Sequence, residues 1–268
     1  MRMRKTLLII LLSFASGFCL AQYANESVVI SSGGGSSSGG NYTQFAVAGE
    51  PFVQASSIAS TTLARTGFIY RLDDLQSTLI QLTLYLEGLY AGGGIMNKAR
   101  NASGDQYPGS IADKITLELH PAANYTQISY SDNQVNLNTD GTAELNVPSH
   151  ISGSYYLAIK HRNSLETVSS VPLSLNGSIL NYDFSDLASR AYGNNLKLLE
   201  PAYYGIYSGD VNNDGIIDTS DLISIQASAS LFSTGYIQPD VNGDGKSDAL
   251  DLILTDNNSA LFVGKITP

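Results

Sequence analysis

The chain has 268 residues, with 24 acids against 14 Lys and Arg, and a formal net charge of −10 with its three His neutral. An acidic chain without a basic stripe lacks the electrostatic footprint of a nucleic-acid binder, so nucleic acid is excluded as a partner. A single cysteine excludes a disulfide-stapled fold, and nothing after the first twenty residues reaches the length of a membrane span.

In chain order, "MRMRKTLLIILLSFASGFCLAQ" comes first. Arg2, Arg4 and Lys5 precede an apolar run from Leu7 to Leu12, and small residues allow cleavage after Ala21. Residues 1–21 therefore read as a secretory signal peptide, which predicts a secreted protein, extracellular or at the cell surface. The alternative, a lipoprotein acylated at Cys19, meets a poor lipobox residue in Phe18. Cleavage removes Cys19 and takes the mature chain to a net charge of about −13. A secreted chain without disulfides needs another staple.

Residues 22–70 read as a short β segment interrupted by the Gly/Ser-rich stretch "SSGGGSSSGG" at 31–40, a composition that predicts a flexible linker. Residues 71–208 read as an antiparallel β-sandwich of Ig-like size. "LIQLTLYLEGLY" predicts a long apolar strand. In "DKITLELH", Ile115, Leu117 and Leu119 alternate with outward Thr116, Glu118 and His120. Asp140-Gly141 lies between two alternating runs and predicts a hairpin, and Asn176-Gly177 repeats that grammar. "GSYYLAIKHRN" is a further strand, and "FSDLASRAYGN" holds one helical turn.

The carboxylates Glu87, Glu118, Glu144 and Glu166 read as solvent faces of strands rather than the paired acids of a glycosidase. His120, His150 and His161 lack metal-ligand spacing, and "KHRN" at 160–163 reads as a surface turn. No nucleophile-elbow, phosphate-loop or zinc motif is present, so the chain reads as non-catalytic. A sugar-binding sandwich is the rival reading. Trp is absent, but Tyr155-Tyr156 and Tyr203-Tyr204 each place one ring on either face of a strand.

The last quarter is where the acid gathers: nine Asp, no Glu and two Lys from Gly205 onward. "DVNNDGIIDTSD" at 210–221 recurs as "DVNGDGKSDALD" at 240–251. A twelve-residue loop wraps one Ca²⁺ with oxygens at positions 1, 3, 5, 7, 9 and 12. In the first copy these are Asp210, Asn212, Asp214, the Ile216 carbonyl, Asp218 and Asp221. In the second they are Asp240, Asn242, Asp244, the Lys246 carbonyl, Asp248 and Asp251. Gly215 and Gly245 hold position 6, where the chain turns with positive φ. Ser247 stands where the first copy has branched Ile217, a departure that predicts a looser link between the loops. Two ions per chain are expected. A helix follows each loop from position 10. Leu222, Ile225, Ala229 and Phe232 form an apolar stripe on the first, and Leu252 and Phe262 remain of it on the second. No helical pattern precedes either loop.

Two calcium loops, each with an exiting helix only, resemble the type I dockerin family over residues 205–264. The resemblance implies calcium binding and docking to a cohesin module, often on proteins that degrade polysaccharides. It also implies that positions 10 and 11, here Thr219-Ser220 and Ala249-Leu250, choose the partner. The first pair matches the family's hydroxyl pair and the second does not. Gln226-Ala227 and Asp256-Asn257 stand where the family often has basic residues. Together with "GEPFV…GFIY", "GSYYLAIKHRN" and "FVGKITP", the arrangement resembles secreted multi-module surface proteins of Bacteroidetes. The expected function is calcium-dependent docking, onto a cohesin-like partner or the chain's own sandwich, in adhesion or surface assembly and possible service of polysaccharide degradation. The alternatives are a glycan-binding accessory protein and a glycoside hydrolase with an unrecognised site.

Overall fold

The structure, a computed structural model, describes residues 77–268 and four earlier strand segments. The signal peptide and Cys19 lie outside the described residues. The chain divides into two units, Met1–Gln76 and Ser77–Pro268. In the first, β1 (Gly34–Gly39) pairs antiparallel with β2 (Tyr42–Val47), and β3 (Thr62–Arg65) pairs with β4 (Phe68–Arg71). Strand β1 falls inside the stretch whose composition suggests a linker, and its backbone is laddered to β2.

The second unit opens with β5 (Thr78–Thr83). The long apolar strand expected here stops early, because Glu87–Leu89 winds into a 3-10 turn. Two short ribbons follow: β6 (Tyr90–Gly92) with β7 (Ile95–Met96), and β8 (Arg100–Asn101) with β9 (Gly104–Asp105). Then come β10 (Ile111–Pro121), β11 (Tyr130–Asn138), β12 (Thr142–Val147), β13 (Gly153–His161) and β14 (Ser164–Val168). The last strands are β15 (Leu173–Leu175), β16 (Ile179–Asp183), β17 (Lys197–Glu200) and β18 (Tyr203–Gly205).

The main sheet runs β14-β13-β10-β11-β12-β5-β16, with β15 alongside the start of β13. Its one register pair between β11 and β12 is Leu137↔Ala143. That thin joint lets the two halves close on each other as a sandwich-like fold. Ile115, Leu117 and Leu157 from one half meet Ile80, Leu82 and Leu145 from the other in one buried core. The alternation in β10 is as expected on its inner face. On the outer face Glu118 and His120 are also buried, because Tyr125 stacks on His120 at 4.4 Å and Lys160 covers Glu118.

Asp140-Gly141 makes the expected turn, with Gly141 at φ 85° and its N–H on the Asn138 carbonyl. Asn176-Gly177 does not make a hairpin. β15 pairs with β13 and β16 crosses to lie parallel to β5, so this turn carries the chain between layers. The Gly177 N–H is held by Thr78 Oγ1 at 3.0 Å, which anchors the crossover. Residues 184–194 hold two 3-10 turns, Ala188–Arg190 and Tyr192–Asn194.

Two helices end the chain, α1 (Thr219–Ser230) and α2 (Ala249–Ser259). Each starts at loop position 10, and none precedes either loop among the described residues. Asp218 and Asp248 cap them, each in a reciprocal box with the Asp three residues on. Ile225 is buried with Val211 and Val241 between the helices. The stripe ends there: Phe232 and Phe262 are 87 % and 92 % exposed, and Thr255 and Asn258 are buried instead. Among the described residues no helix is long and apolar enough to cross a membrane.

Candidate functional site

The two loops repeat one hydrogen-bond plan. Asp210 Oδ2 accepts from Gly215 N–H at 3.1 Å, and Asp240 Oδ2 from Gly245 N–H at 3.1 Å. Asn212 and Asn242 Oδ1 each accept, at 2.9 Å, from the N–H two residues on. Asp214 accepts from Ile216 N–H and Asp244 from Lys246 N–H. Successive turns of this kind bend the chain around a centre. Gly215 and Gly245 sit at φ 89° and 87°, the conformation for which position 6 needs glycine.

Position 12 closes each loop. Asp221 Oδ1 accepts from Val211 N–H at 2.8 Å and Asn212 N–H at 3.2 Å, and its Oδ2 from Asp218 N–H at 3.0 Å. Asp251 does the same for Val241, Asn242 and Asp248. Both carboxylates are fully buried.

The electrostatics ask for a cation. Burial is the first cause pushing the Asp210 carboxyl up to about 6, with the Asp221 charge next. Burial likewise pushes Asp240 up to about 7, against the opposing pull of Arg162. Asp221 and Asp251 are raised by burial, partly offset by their backbone donors. Asp210 Oδ1 and Asp240 Oδ1 are buried without a hydrogen-bond partner. Such orphaned acceptors fit a hard, oxygen-seeking ion. No three His, Cys, Asp or Glu side chains converge on one point among the described residues, since the other acids are turned onto backbone N–H groups. Asn212 and Asn242 and the main chain at Ile216 and Lys246 stand at the remaining positions of the expected ligand set.

Ser247 does not loosen a link between the loops. It is buried, and each loop instead bridges the segment beyond a helix: Ile216 to Gly264 and Lys246 to Thr234.

Thr219, Ser220, Ala249 and Leu250 are exposed on the first helical turns. The Ser220 hydroxyl is already engaged, donating to Asp218 and accepting from Asn212. Larger exposed groups lie further along at matching repeat positions: Ile223 and Ile253, Leu231 and Leu261, Phe232 and Phe262.

The loops are not free-standing. The β-bulge at the end of β13 turns Arg162 and Asn163 toward the second loop. Arg162 Nη1 donates to the Ile237 carbonyl and, at 2.7 Å, to the Asp240 carbonyl. Its Nε reaches Asp113, which His161 and Tyr236 also hold. Asn163 Nδ2 donates to the carbonyls of Gln238 and Asp240. On α2, Asn258 Nδ2 donates to Glu87 Oε2 at 2.6 Å and the Ser208 carbonyl at 2.8 Å, and its Oδ1 accepts from Lys197. Leu165, Ile217 and Val263 make an apolar plug beside them.

These contacts reassign several sequence candidates. "KHRN" is a clamp rather than a surface turn. Glu87 is a buried pin, bonded to Lys197 and Asn258. Glu118 and Glu166 share Lys160, and Glu144 is on the solvent side beside Gln81. Ser164, His161 and Asp113 form a hydrogen-bonded chain, but Ser164 is 2 % exposed and also contacts the Ser208 hydroxyl. His150 is exposed. The sequence carries no local signal for this clamp, whose partners lie some 75 residues apart.

The paired loop–helix repeat is a type I dockerin domain: residues 208–258 match the family description "Dockerin type I domain". Type I dockerin domains are protein-docking modules of a kind that binds calcium. No curated protein matches the chain. Similar solved structures include two crystal structures of a type II Cohesin-X-Dockerin complex from Acetivibrio cellulolyticus, a C-terminal and an N-terminal interface mutant. Both are 16 % identical, cover 70 % of this chain and 97 % of theirs, and give TM-scores of 0.40 and 0.39. A likeness at that level carries no argument.

Proposed function

We propose that residues 209–268 bind two calcium ions, one per loop, and dock a secreted, non-catalytic protein onto a cohesin-type module. The outer faces of α1 and α2 make the contact. The observation that carries this reading is the set of apolar pairs thirty residues apart, Ile223/Ile253 and Phe232/Phe262, all more than half exposed. Large apolar groups gathered on one small module mark a protein contact. The domain boundary at 208/209, the calcium ligand set and the extracellular location are parts of this reading, as is adhesion or polysaccharide degradation as the setting.

The test is binding of the full mature chain to immobilised type I cohesin modules, with calcium and with EDTA. Binding in calcium that disappears in EDTA and in the Ile223→Lys/Ile253→Lys double variant supports the reading. Capture by no cohesin module, or capture unaffected by the double variant, overturns it.

A further inference from the structure

A groove of about 640 Å³ lies where the outer face of the sheet meets the first calcium loop. Its floor is β10, β11, β13 and β14, and its far wall includes Asn213 and Gly215 of the loop. Binding clefts of this size gather where two structural parts meet.

Its charge is unlike the rest of the unit. Between residues 77 and 268 there are 20 acids and nine Lys and Arg. Four of those nine, Lys114, Lys160, Arg162 and Lys265, line this one groove. Arg162 is committed to Asp113 and the second loop. Lys114 bonds a neutral group, the Gln134 side-chain oxygen at 2.7 Å, and stands 5.4 Å from the centroid of the Tyr107 ring. Lys265 is exposed, with its stem against Gly215 and its ammonium 3.5 Å from Glu166. Glu166 sits on the floor between Lys160 and Lys265, and Asp210 of the first loop is the other carboxylate in the lining.

We propose that this groove binds an acidic sugar chain, a glycan carrying uronate carboxylates. Lys114 and Lys265 pair with the ligand's carboxylates. Glu166 and Gln134 take its hydroxyls, and Tyr107 meets the apolar face of a ring. The mixed lining decides among anionic ligands. A phosphate or an acidic peptide would meet Glu166 as a like charge, whereas a sugar acid offers it hydroxyl donors. A peptide that binds by adding a strand needs an open sheet edge. Here β10 lies between β11 and β13, and β14 is bridged to Ser208 beyond its own edge. This proposal is independent of cohesin docking, which uses the helix faces.

The test is calorimetry of the full mature chain, in calcium, with short oligosaccharides of hyaluronan, galacturonate and glucuronoxylan. Methyl-esterified galacturonate oligomers and poly-glutamate serve as comparators. Expected is binding to at least one uronate chain, weakened by added salt and lost on esterification. Lys114→Gln and Lys265→Gln should each weaken it about tenfold, the worth of one charge-assisted hydrogen bond. Lys98→Gln, outside the groove lining and paired with Asp105, should leave it unchanged. Failure to bind all three uronate chains overturns the proposal, as does equal binding of the ester, tighter binding of poly-glutamate, or indifference to both lysine variants in protein that melts normally.

Discussion

Arg162, at the end of a sheet strand, donates to the main-chain carbonyl of Asp240, the first residue of the second calcium loop, at 2.7 Å. The same guanidinium lies 4.6 Å from the Tyr236 ring centroid and 3.3 Å from Asp113. Its side chain is 11 % exposed and Asp113 is wholly buried. Removing one partner of a buried pair leaves the other uncompensated, at a cost of about 3–5 kcal/mol. Arg162→Ala is therefore expected to lower the unfolding free energy of the whole chain by that order. Urea unfolding followed by far-UV circular dichroism measures it. A loss under about 1 kcal/mol, the range of exposed pairs, would show the clamp to be a surface contact.

Gly88 makes the same point without charge. A Cβ built there would sit 2.1 Å from the Val241 carbonyl oxygen, in the second loop. That contact is with backbone, so no side-chain rotation relieves it. Gly88→Ala should cost about 1–3 kcal/mol by overpacking and weaken calcium binding at the second loop, although it touches no ligand. Calcium titration and unfolding of the variant give both readouts. Wild-type behaviour in both would mean that the sheet and loop part easily.

The paired loop–helix repeat was legible because every determinant is local. Acids at alternate positions, Gly215 at the turn and Asp221 at the helix start all fall within twelve residues. The apolar face of β10 was legible for the same reason. The Asn176-Gly177 turn was misread because turn chemistry fixes the bend and not the strand that the next segment finds. β16 pairs with β5, a hundred residues earlier. The clamp was hidden in the same way: Arg162 and Asn163 look like a polar strand end until the fold brings residues 237–240 against them. Phe232 fits the helical period but lies beyond the last buried turn, at φ 53°.

Asp221→Ala should damage the module more than Asp218→Ala. Asp221 is buried and accepts three backbone N–H groups, and position 12 is the expected two-oxygen ligand. Asp218 caps the helix at its solvent edge, where it accepts from the Ser220 N–H and hydroxyl. Calcium affinity and thermal midpoint of the two variants decide this. Equal losses would mean that the loop closes in some other way.

The ion-free protein should be most stable in mild acid. Asp210 faces Asp214 and Asp221, while Asp240 faces Arg162, Asp244 and Asp251. Their carboxyls are pushed up to about 6 and about 7, first by burial. Raised above the ordinary aspartate value of 3.8, they contribute stability that is full below that value and is lost as pH rises from there through 6 and 7. Asp113 behaves oppositely. Burial pushes it up, but the His161 hydrogen bond and the charges of His161 and Arg162 prevail and hold it at about 2. Its contribution is present above 3.8 and fades as pH falls toward 2. In EDTA, stability should peak near about pH 4, fall as pH rises to about 7, and fall as pH drops toward about 2. With calcium the peak should move upward, since the ion needs deprotonated ligands. Midpoints in EDTA that do not change from pH 5 to 8 would contradict the burial of these acids.

Calcium should stabilise the sheet as well as the helices. Each ion bound by the native form alone adds about 2.7 kcal/mol at a hundredfold excess over its Kd, so two add about 5 kcal/mol. That is comparable to the lower range of a whole domain's stability. The sheet shares in it because Arg162, Asn163 and Glu87 complete their hydrogen bonds on residues 237–258. If the module unfolded alone, these buried groups would lose their partners. Thermal melts of the full chain should therefore show helix and strand signals moving together, to lower temperature in EDTA and back when calcium returns. Calorimetry should give two ions per chain. A strand signal that keeps its midpoint while the helix signal melts in EDTA would make the seam a weak contact between independent bodies, and a stoichiometry of one would leave the second loop without its ion.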